Sequence, residues 1–447
     1  MLSDVIAAIS TPAGRSAIAV VRVSGRNAFD VAARVLDPFR PERARRATRT
    51  RVVHPTTRDM IDDALCVAFP APQSYSGENM VEISTHGGVL VPAETLGALL
   101  AAGARLATPG EFTRRAVLNG KLDLLQAEAV GDLIEATAPA QRRAALGQLD
   151  RGLSTRIEKL RSRVLDLEAL ISYEIDFPEE DSGPVPPERI DAAVSELCVA
   201  LRDLSRTAAE GERLREGALA VIAGRPNVGK SSLFNALVGH ERAIVTDIPG
   251  TTRDAIEAPV SCDGFPFRLV DTAGLQSTDD RVERIGVEVS RRYLDGADLV
   301  LYCAEAGRNL EADEQDFVNQ LQEKVVIVLT KADLLKSDDG LPAGIPASAI
   351  SGEGLPELRA EMARFAFASL SGRADIEPLV TRERHRAALG QALEETVAFR
   401  DARAAGTEAA VAAVHLRAAV GALEAIVGVV TADDVLDRVF SSFCVGK

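Results

Sequence analysis

The chain has 447 residues, a formal net charge of −15, 46% hydrophobic and 26% charged residues. Such a length exceeds one ordinary core and predicts two or three domains of soluble globular composition. The acidity argues against tight autonomous RNA binding, and the lack of tryptophan with 4% aromatic residues leaves little for a single-strand stacking platform; an acidic chain can still work on RNA when a partner brings the positive surface.

The N-terminal stretch MLSDVIAAISTPAGRSA has an apolar patch but no basic segment ahead of it, so no secretory signal is expected. No apolar run reaches the roughly 18 residues that a membrane span needs. Residues 1–117 read as mixed α/β, with strand signals at Val20–Val23, Ala64–Phe69 and Met80–Ser84 between Pro/Gly/Ser turns. From about Lys121 the texture turns helical: Leu122, Leu125, Ala129, Val130, Leu133 and Ile134 share one helical face, and the pattern continues through Leu153–Tyr173. The acidic, proline-rich Phe177–Pro187 must be a loop, and a further helix runs to about Arg215. Residues 217–370 alternate strand and helix as in a parallel sheet, with strands expected at Leu219–Ala223, Phe267–Val270, Leu299–Cys303 and Val325–Leu329. After about Thr381 the pattern is helical again. The simplest architecture is a helical domain in two parts, 118–215 and 373–447, with an α/β domain, 216–372, inserted between them. The cysteines Cys66, Cys198, Cys262, Cys303 and Cys444 show no CxxC spacing, which suggests a reducing cytoplasm and no zinc site.

Gly224-Arg-Pro-Asn-Val-Gly229-Lys230-Ser231 fits G-x-x-x-x-G-K-[ST], follows the apolar strand LAVIA and opens a helix, Ser231–Leu237. Its glycines let Asn227, Val228, Gly229 and the following Ser231 and Ser232 bring backbone N–H groups around a phosphate at a helix N-terminus. Lys230 should reach the β/γ-phosphates and Ser231 should ligate Mg²⁺. Asp271-Thr272-Ala273-Gly274 follows a strand and supplies an Asp for the Mg²⁺ site and a Gly N–H for the γ-phosphate. Thr330-Lys331-Ala332-Asp333 follows another; its Asp can accept two hydrogen bonds from a guanine edge, which adenine cannot donate. Ser348-Ala349-Ile350 comes next, where a backbone N–H would meet the guanine oxygen. Four elements in this order resemble the translation-factor-like family of GTPases over about 150 residues.

The loop Thr246-Asp247-Ile248-Pro249-Gly250-Thr251-Thr252 reads as switch I, with Thr252 as the second Mg²⁺ ligand and Thr251 as its rival. Where many GTPases carry a water-orienting Gln, this chain has Leu275. Glu283 is the nearest carboxylate to take that role; on spacing alone it is equally an ordinary first-turn Glu. Asn227 could hold a monovalent cation that stabilises transition-state charge, or be a turn residue tolerant of unusual backbone angles.

The flanks carry a second resemblance. Thr11-Pro-Ala-Gly14-Arg15, Arg22-Val-Ser-Gly25, Ser74-Tyr-Ser-Gly-Glu78, His86-Gly-Gly88, Thr108-Pro-Gly-Glu-Phe-Thr-Arg-Arg-Ala116, Leu118-Asn-Gly-Lys121-Leu-Asp-Leu124 and the terminal Phe-Cys444-Val-Gly-Lys447 are together similar to the MnmE (TrmE) family of tRNA modification GTPases, from end to end. The resemblance implies a tetrahydrofolate-binding and dimerisation domain over 1–117, a constitutive homodimer, and a flavin-dependent partner, MnmG (GidA), forming a heterotetramer. Together the two install an aminomethyl or carboxymethylaminomethyl group on carbon 5 of the wobble uridine of certain tRNAs, with carbon from a folate such as 5-formyltetrahydrofolate. It also implies folate contacts at Arg22, Glu82, Lys121 and Lys447. Arg22 and Lys121 suit the glutamate-tail carboxylates and Glu82 the amino-pyrimidine edge, though each read singly is also a plausible surface ion pair. The inserted domain is expected to be a Ras-like P-loop GTPase with a mostly parallel sheet, activated by K⁺ when two such domains meet. Asn227, Thr246, Ile248 and Thr251 match the family's K⁺ ligands, two through backbone carbonyls, and Glu283 matches its water-orienting Glu. Cys444 matches a Cys near the folate site and is either a participant in the chemistry or a structural thiol; His86 is left unassigned. Two departures stand out: Thr330 replaces the usual Asn, and Gln276 replaces a frequent Arg. The rival functions are a ribosome-assembly GTPase acting as an RNA-binding switch, which would need a basic RNA-binding domain, and a folate enzyme with a merely regulatory G domain.

Overall fold

Apolar and polar residues alternate along Ile18–Ser24 and Met80–His86, so Val21, Val23, Val81 and Ile83 turn to one face and Arg22 and Glu82 to the other. The computed structural model places both segments in a sheet; it describes residues 4–176, 186–239, 257–271, 292–335, 343–370, 378–428, 433–441 and 443–446. The chain divides into two compact units, Met1–Gly131 with Glu424–Lys447, and Asp132–Leu423.

The first unit is built on β1 (Ile6–Ile9), β2 (Ile18–Ser24), β3 (Leu36–Asp37), β4 (Thr48–Val53), β5 (Met60–Phe69), β6 (Met80–His86) and β7 (Arg105–Leu106). They form one seven-stranded sheet in the order β3-β4-β5-β6-β2-β1-β7, antiparallel except where β1 meets β7. Helices Ala28–Val35 and Leu90–Ala101 bury Val31, Val35, Ala98 and Leu99 against the apolar face. The register sets Arg22 directly opposite Glu82. The segment from Glu424 onward clusters with this unit, and the helical pattern expected after Thr381 appears as helices Glu383–Ala404, Ala409–Val427 and Asp433–Phe440. Helix Asp433–Phe440 packs Leu436 and Phe440 on Leu124 and Ala127, Phe443 stacks edge-on with Phe440 at 5.3 Å, and the Gly110 amide donates to the Cys444 carbonyl at 3.3 Å. Gly446 has φ 100°, and a Cβ there would lie 2.5 Å from the Ile9 carbonyl oxygen, so only glycine lets the tail meet β1 this closely.

The second unit holds a six-stranded sheet of β8 (Ala218–Ala223), β9 (Glu257–Cys262), β10 (Phe265–Asp271), β11 (Leu299–Glu305), β12 (Val325–Thr330) and β13 (Ile345–Pro346), in the order β13-β12-β11-β8-β10-β9. It is parallel but for the β9–β10 hairpin. The central strands are near-continuously apolar because helices such as Lys230–Gly239 and Leu355–Ala366 on one side and Ala312–Leu321 on the other cover both faces. Phe367 is fully buried between Phe265, stacked at 4.8 Å, and Phe267, edge-on at 5.7 Å.

Helices from both sides of this sheet in sequence pack together: Gly152–Asp176 and Pro187–Arg206 before it, Glu383–Ala404 and Ala409–Val427 after it. Arg403 pairs with Glu174 at 3.0 Å and Arg417 with Glu168 at 2.9 Å. The entry and exit of the sheet are tied where Gln141 Nε2 donates to the Arg215 carbonyl at 2.8 Å and Arg215 Nε to the Thr381 carbonyl at 3.0 Å. Ala409–Val427 is, among the described residues, the one helix long and apolar enough by composition to cross a membrane. Its stripe Ala412, Leu416, Ala419 and Leu423 is buried in the helical packing, and His415 and Arg417 carry ion pairs to Glu395 and Glu168.

Each strand read from the sequence lies within an observed one, and the helices at Leu122–Ile134, Leu153–Tyr173 and Ser231–Leu237 appear as Leu124–Glu135, Gly152–Asp176 and Lys230–Gly239. Of the loop expected at Phe177–Pro187, residues 177–185 lie outside the described residues, and helix Pro187–Arg206 begins at its last position. Replacing Phe367 with Ala should destabilise the second unit by about 3–5 kcal/mol, the range for emptying an aromatic site in a core. The readout is a lowered urea midpoint; an unchanged midpoint would remove the Phe265–Phe267–Phe367 cluster from the core.

Candidate nucleotide site

Strand β8 is buried at five of six positions, which fixes it in the sheet centre and delivers its C-terminal end to the loop that follows. At Gly224 the backbone has φ 139°, and a Cβ would stand 2.3 Å from the Cys303 carbonyl oxygen of β11, so the turn off the strand requires glycine. Asn227 and Gly229 are left-handed, at φ 61° and 100°. Such alternation curls a backbone so that its N–H groups converge, the geometry of an anion nest. Val228 is buried between them and anchors the loop.

Lys230 opens helix Lys230–Gly239 and is 8% exposed. Its Nζ donates to the carbonyls of Gly224 at 2.8 Å and Arg225 at 2.7 Å, so the ammonium spans the loop. Burial lowers its pKa, with the Asp271 charge among the opposing influences. Ser231 and Ser232 follow in the first helical turn, both exposed. Asp271 ends β10, 7% exposed, in register with Ile222 of the adjacent β8.

Thr330 ends β12. Its hydroxyl is hydrogen-bonded to the Val228 carbonyl and lies 3.0 Å from the Ala304 carbonyl. One hydroxyl proton serves one acceptor at a time, so Thr330 ties the phosphate loop to the sheet with less reach than an Asn amide has. Lys331 is left-handed at φ 58°, with Nζ 3.1 Å from Glu305, and Ala332 opens the short turn bearing Asp333. Asp333 Oδ1 accepts from Ser348 Oγ at 2.6 Å, and that Oγ accepts the amides of Ile350 at 3.2 Å and Ser351 at 3.1 Å. One serine thus fixes both the carboxylate and the loop carrying Ala349. Leu334 and Ile350 beside them are 69% and 88% exposed, apolar surface suited to the faces of a flat ring. Leu334 was not singled out from the sequence, because one leucine in a polar turn carries no pattern.

The structure therefore brings Asn227, Val228, Gly229, Lys230, Ser231, Ser232 and Asp271 to the ends of β8 and β10, and Thr330, Lys331, Ala332, Asp333, Ser348, Ala349 and Ile350 to the ends of β12 and β13. In a parallel sheet these are the C-terminal strand ends, where ligands of open α/β folds bind. Thr246, Asp247, Ile248, Pro249, Gly250, Thr251, Thr252, Thr272, Ala273, Gly274, Gln276, Glu283 and Lys447 lie outside the described residues.

In the first unit, Arg22 grips Glu82 through Nε at 3.1 Å and Nη2 at 2.7 Å, and its Nη1 donates to the Gly446 carbonyl at 3.2 Å. Ser10 Oγ donates to the same carbonyl at 3.0 Å. The guanidinium lies 5.5 Å from the ring centres of both Tyr75 and Phe112. Lys121 is exposed beside the Gly77 turn, and Cys444 is exposed. His86 Nδ1 lies 2.7 Å from Asp62, which holds the imidazole protonated to higher pH than usual.

A nest-forming loop on the central strand, a lysine spanning it, an acid ending the next strand and an Asp–Ser pair at the far edge define a P-loop GTPase. The MnmE helical domain model matches residues 124–444, and the model for the GTP-binding protein TrmE N-terminus matches residues 5–121. The chain is 43% identical over 472 residues to the tRNA modification GTPase MnmE of Heliobacterium modesticaldum, with 100% of both chains covered. It is 42% identical over 451 residues to that of Thermus thermophilus, covering 100% of this chain and 99% of the relative, and 40% identical over 456 residues to that of Aquifex aeolicus, covering 100% of both. The chain belongs to the MnmE family of tRNA modification GTPases.

Gly224→Ala should abolish measurable binding of GDP and GTP while the chain still folds, because the added methyl drives the loop off β11. Fluorescent-nucleotide titration checks this, and retained affinity would contradict the close packing described.

Proposed function

We propose that this GTPase cycles between GTP- and GDP-bound forms as a homodimer and, with a flavin-dependent partner of the MnmG (GidA) kind, modifies carbon 5 of the wobble uridine of certain tRNAs in the cytoplasm. The observation that carries the reading is full-length identity to tRNA modification GTPases together with the Gly224–Ser231 cradle and the Asp333–Ser348 pair. The same identity favours it over a ribosome-assembly switch. In this reading the chain comprises a folate-binding and dimerisation domain at 1–117, a helical domain at 118–215 and 373–447, and a G domain at 216–372, with the C-terminal segment returning to the first unit.

In hydrolysis, the loop amides of Asn227–Ser231 and the Lys230 ammonium hold phosphate oxygens whose charge grows in the transition state. Hydroxyl and carboxylate oxygens suit a hard divalent cation: Ser231 and Thr252 would hold Mg²⁺, with Asp271 behind it. An exposed, left-handed Asn227 fits a role in holding K⁺ with Thr246, Ile248 and Thr251, and that cation supplies positive charge where other GTPases use an arginine. Glu283 orients the attacking water. Asp333 accepts from the guanine edge, and Ser348–Ile350 offers backbone N–H groups.

The Arg22–Glu82 pair, flanked by Tyr75 and Phe112 and capped by the Gly446 carbonyl, supports a site for one end of a tetrahydrofolate derivative: Glu82 is an acceptor for the amino-pyrimidine edge, Arg22 beside it is a donor to the same edge, and the aromatic neighbours suit the ring, so the glutamate-tail carboxylates are met by other residues. Lys121 and Lys447 would complete that set, and Cys444 lies in the same tail.

Glu283→Ala should keep nucleotide affinity and lose most GTP turnover; unchanged turnover removes Glu283 from the mechanism. Asn227→Ala should erase the rate difference between K⁺ and Na⁺ buffers, and a persisting difference would put the cation elsewhere. Arg22→Ala should weaken 5-formyltetrahydrofolate binding at least about tenfold with GTP turnover retained; unchanged folate affinity would exclude this site.

A further inference from the structure

Arg225, the second residue of the phosphate loop, is held on its outer side by three carboxylates from one short segment. Its Nη1 lies 2.8 Å from Glu311, its Nη2 2.7 Å from both oxygens of Asp313, and its Nε 3.6 Å from Glu314. Glu311 and Asp313 are exposed, at 61% and 70%, and surface pairs of this kind contribute little by themselves. Glu314 differs: its side chain is 2% exposed at the start of helix Ala312–Leu321.

Four donors converge on that buried carboxylate. Arg308 supplies Nη1 at 2.5 Å and Nη2 at 2.7 Å, Tyr302 of β11 its hydroxyl at 3.0 Å, and Glu311 its backbone amide at 3.0 Å. A buried, fully hydrogen-bonded carboxylate is a fixed anion, and fixed anions position cations. These bonds keep Glu314 ionised, with Arg308 foremost in lowering its pKa to about 2. The cluster also fixes the segment from which Glu311 and Asp313 reach Arg225.

Arg225 matters because its carbonyl and that of Gly224 are the acceptors for Lys230 Nζ. The guanidinium is anchored outside the cradle while the same residue's backbone orients the lysine within it. We propose that Glu314 is a positioning residue for nucleotide binding: through Arg225 it fixes the two carbonyls that aim Lys230 at the phosphates. This rests on the GTPase reading of the loop and adds a residue about 80 positions away from the motif in the chain. No contiguous pattern reveals it.

The test is titration of the full-length protein with a fluorescent GDP analogue in Mg²⁺ buffer, for wild type, Glu314→Gln, Arg225→Ala and the double variant, with thermal unfolding measured alongside. Arg225→Ala removes a partly exposed side chain and keeps the protein folded even if Glu314→Gln does not. Each single variant should weaken binding about tenfold, and the double variant no more than the weaker single, because both interrupt one route. A merely structural Glu314 would lower the unfolding temperature and leave the affinity of the folded protein unchanged, which overturns the proposal. So would wild-type affinity in Arg225→Ala, or additive losses in the double variant. Failure of the wild type itself to bind would count against the nucleotide reading instead.

Discussion

The close packing of the phosphate loop onto the two strands beside it is the constraint from which the nucleotide site follows. Gly224 passes against the Cys303 carbonyl of β11 with no room for a side chain, and Thr330 at the end of β12 hydrogen-bonds the Val228 carbonyl. Between these fixed points the loop takes left-handed turns at Asn227 and Gly229, and Lys230 spans it from the helix start. Backbone N–H groups at a helix N-terminus and an ammonium turned in toward the loop together favour an anion. The rigid sheet holds that arrangement in place, and a phosphate is the ligand that uses it.

The same logic of a flat scaffold fixing polar groups holds in the first unit. Strand register alone puts Arg22 opposite Glu82, because both occupy the face of neighbouring antiparallel strands that turns away from the Val21–Val81 core. What the register cannot supply is the third partner, the Gly446 carbonyl, which comes from the far end of the chain. The tail can approach β1 only because residue 446 has no side chain. The C-terminal string therefore has a structural part in the first unit.

The sequence made the nucleotide site legible because its parts are contiguous: glycine spacing, a strand before and a helix after each announce themselves within a few residues. The buried parallel strands β8, β11 and β12 were equally plain as unbroken apolar runs bounded by turn residues. Strand β4, TRTRVV, carries too little apolar alternation to read from pattern, and β1, β3 and β7 are two to four residues long and are held by pairing rather than by propensity. Helices Ala28–Val35, Leu90–Ala101 and Glu111–Leu118 are hard to read from pattern because each spans fewer than four turns of helical period. The Glu314–Arg225 anchor and the return of residues 424–446 to the first unit depend on tertiary contacts between distant segments. Nothing local encodes them.

The proposed selectivity for guanine rests physically on Asp333, oriented by Ser348. Isothermal titration of the wild-type chain with GTP and with ATP in the same Mg²⁺ buffer tests it most directly. GTP should bind at micromolar affinity or tighter, and ATP should give no measurable heat. Equal affinity for the two nucleotides, or preference for ATP, would contradict it.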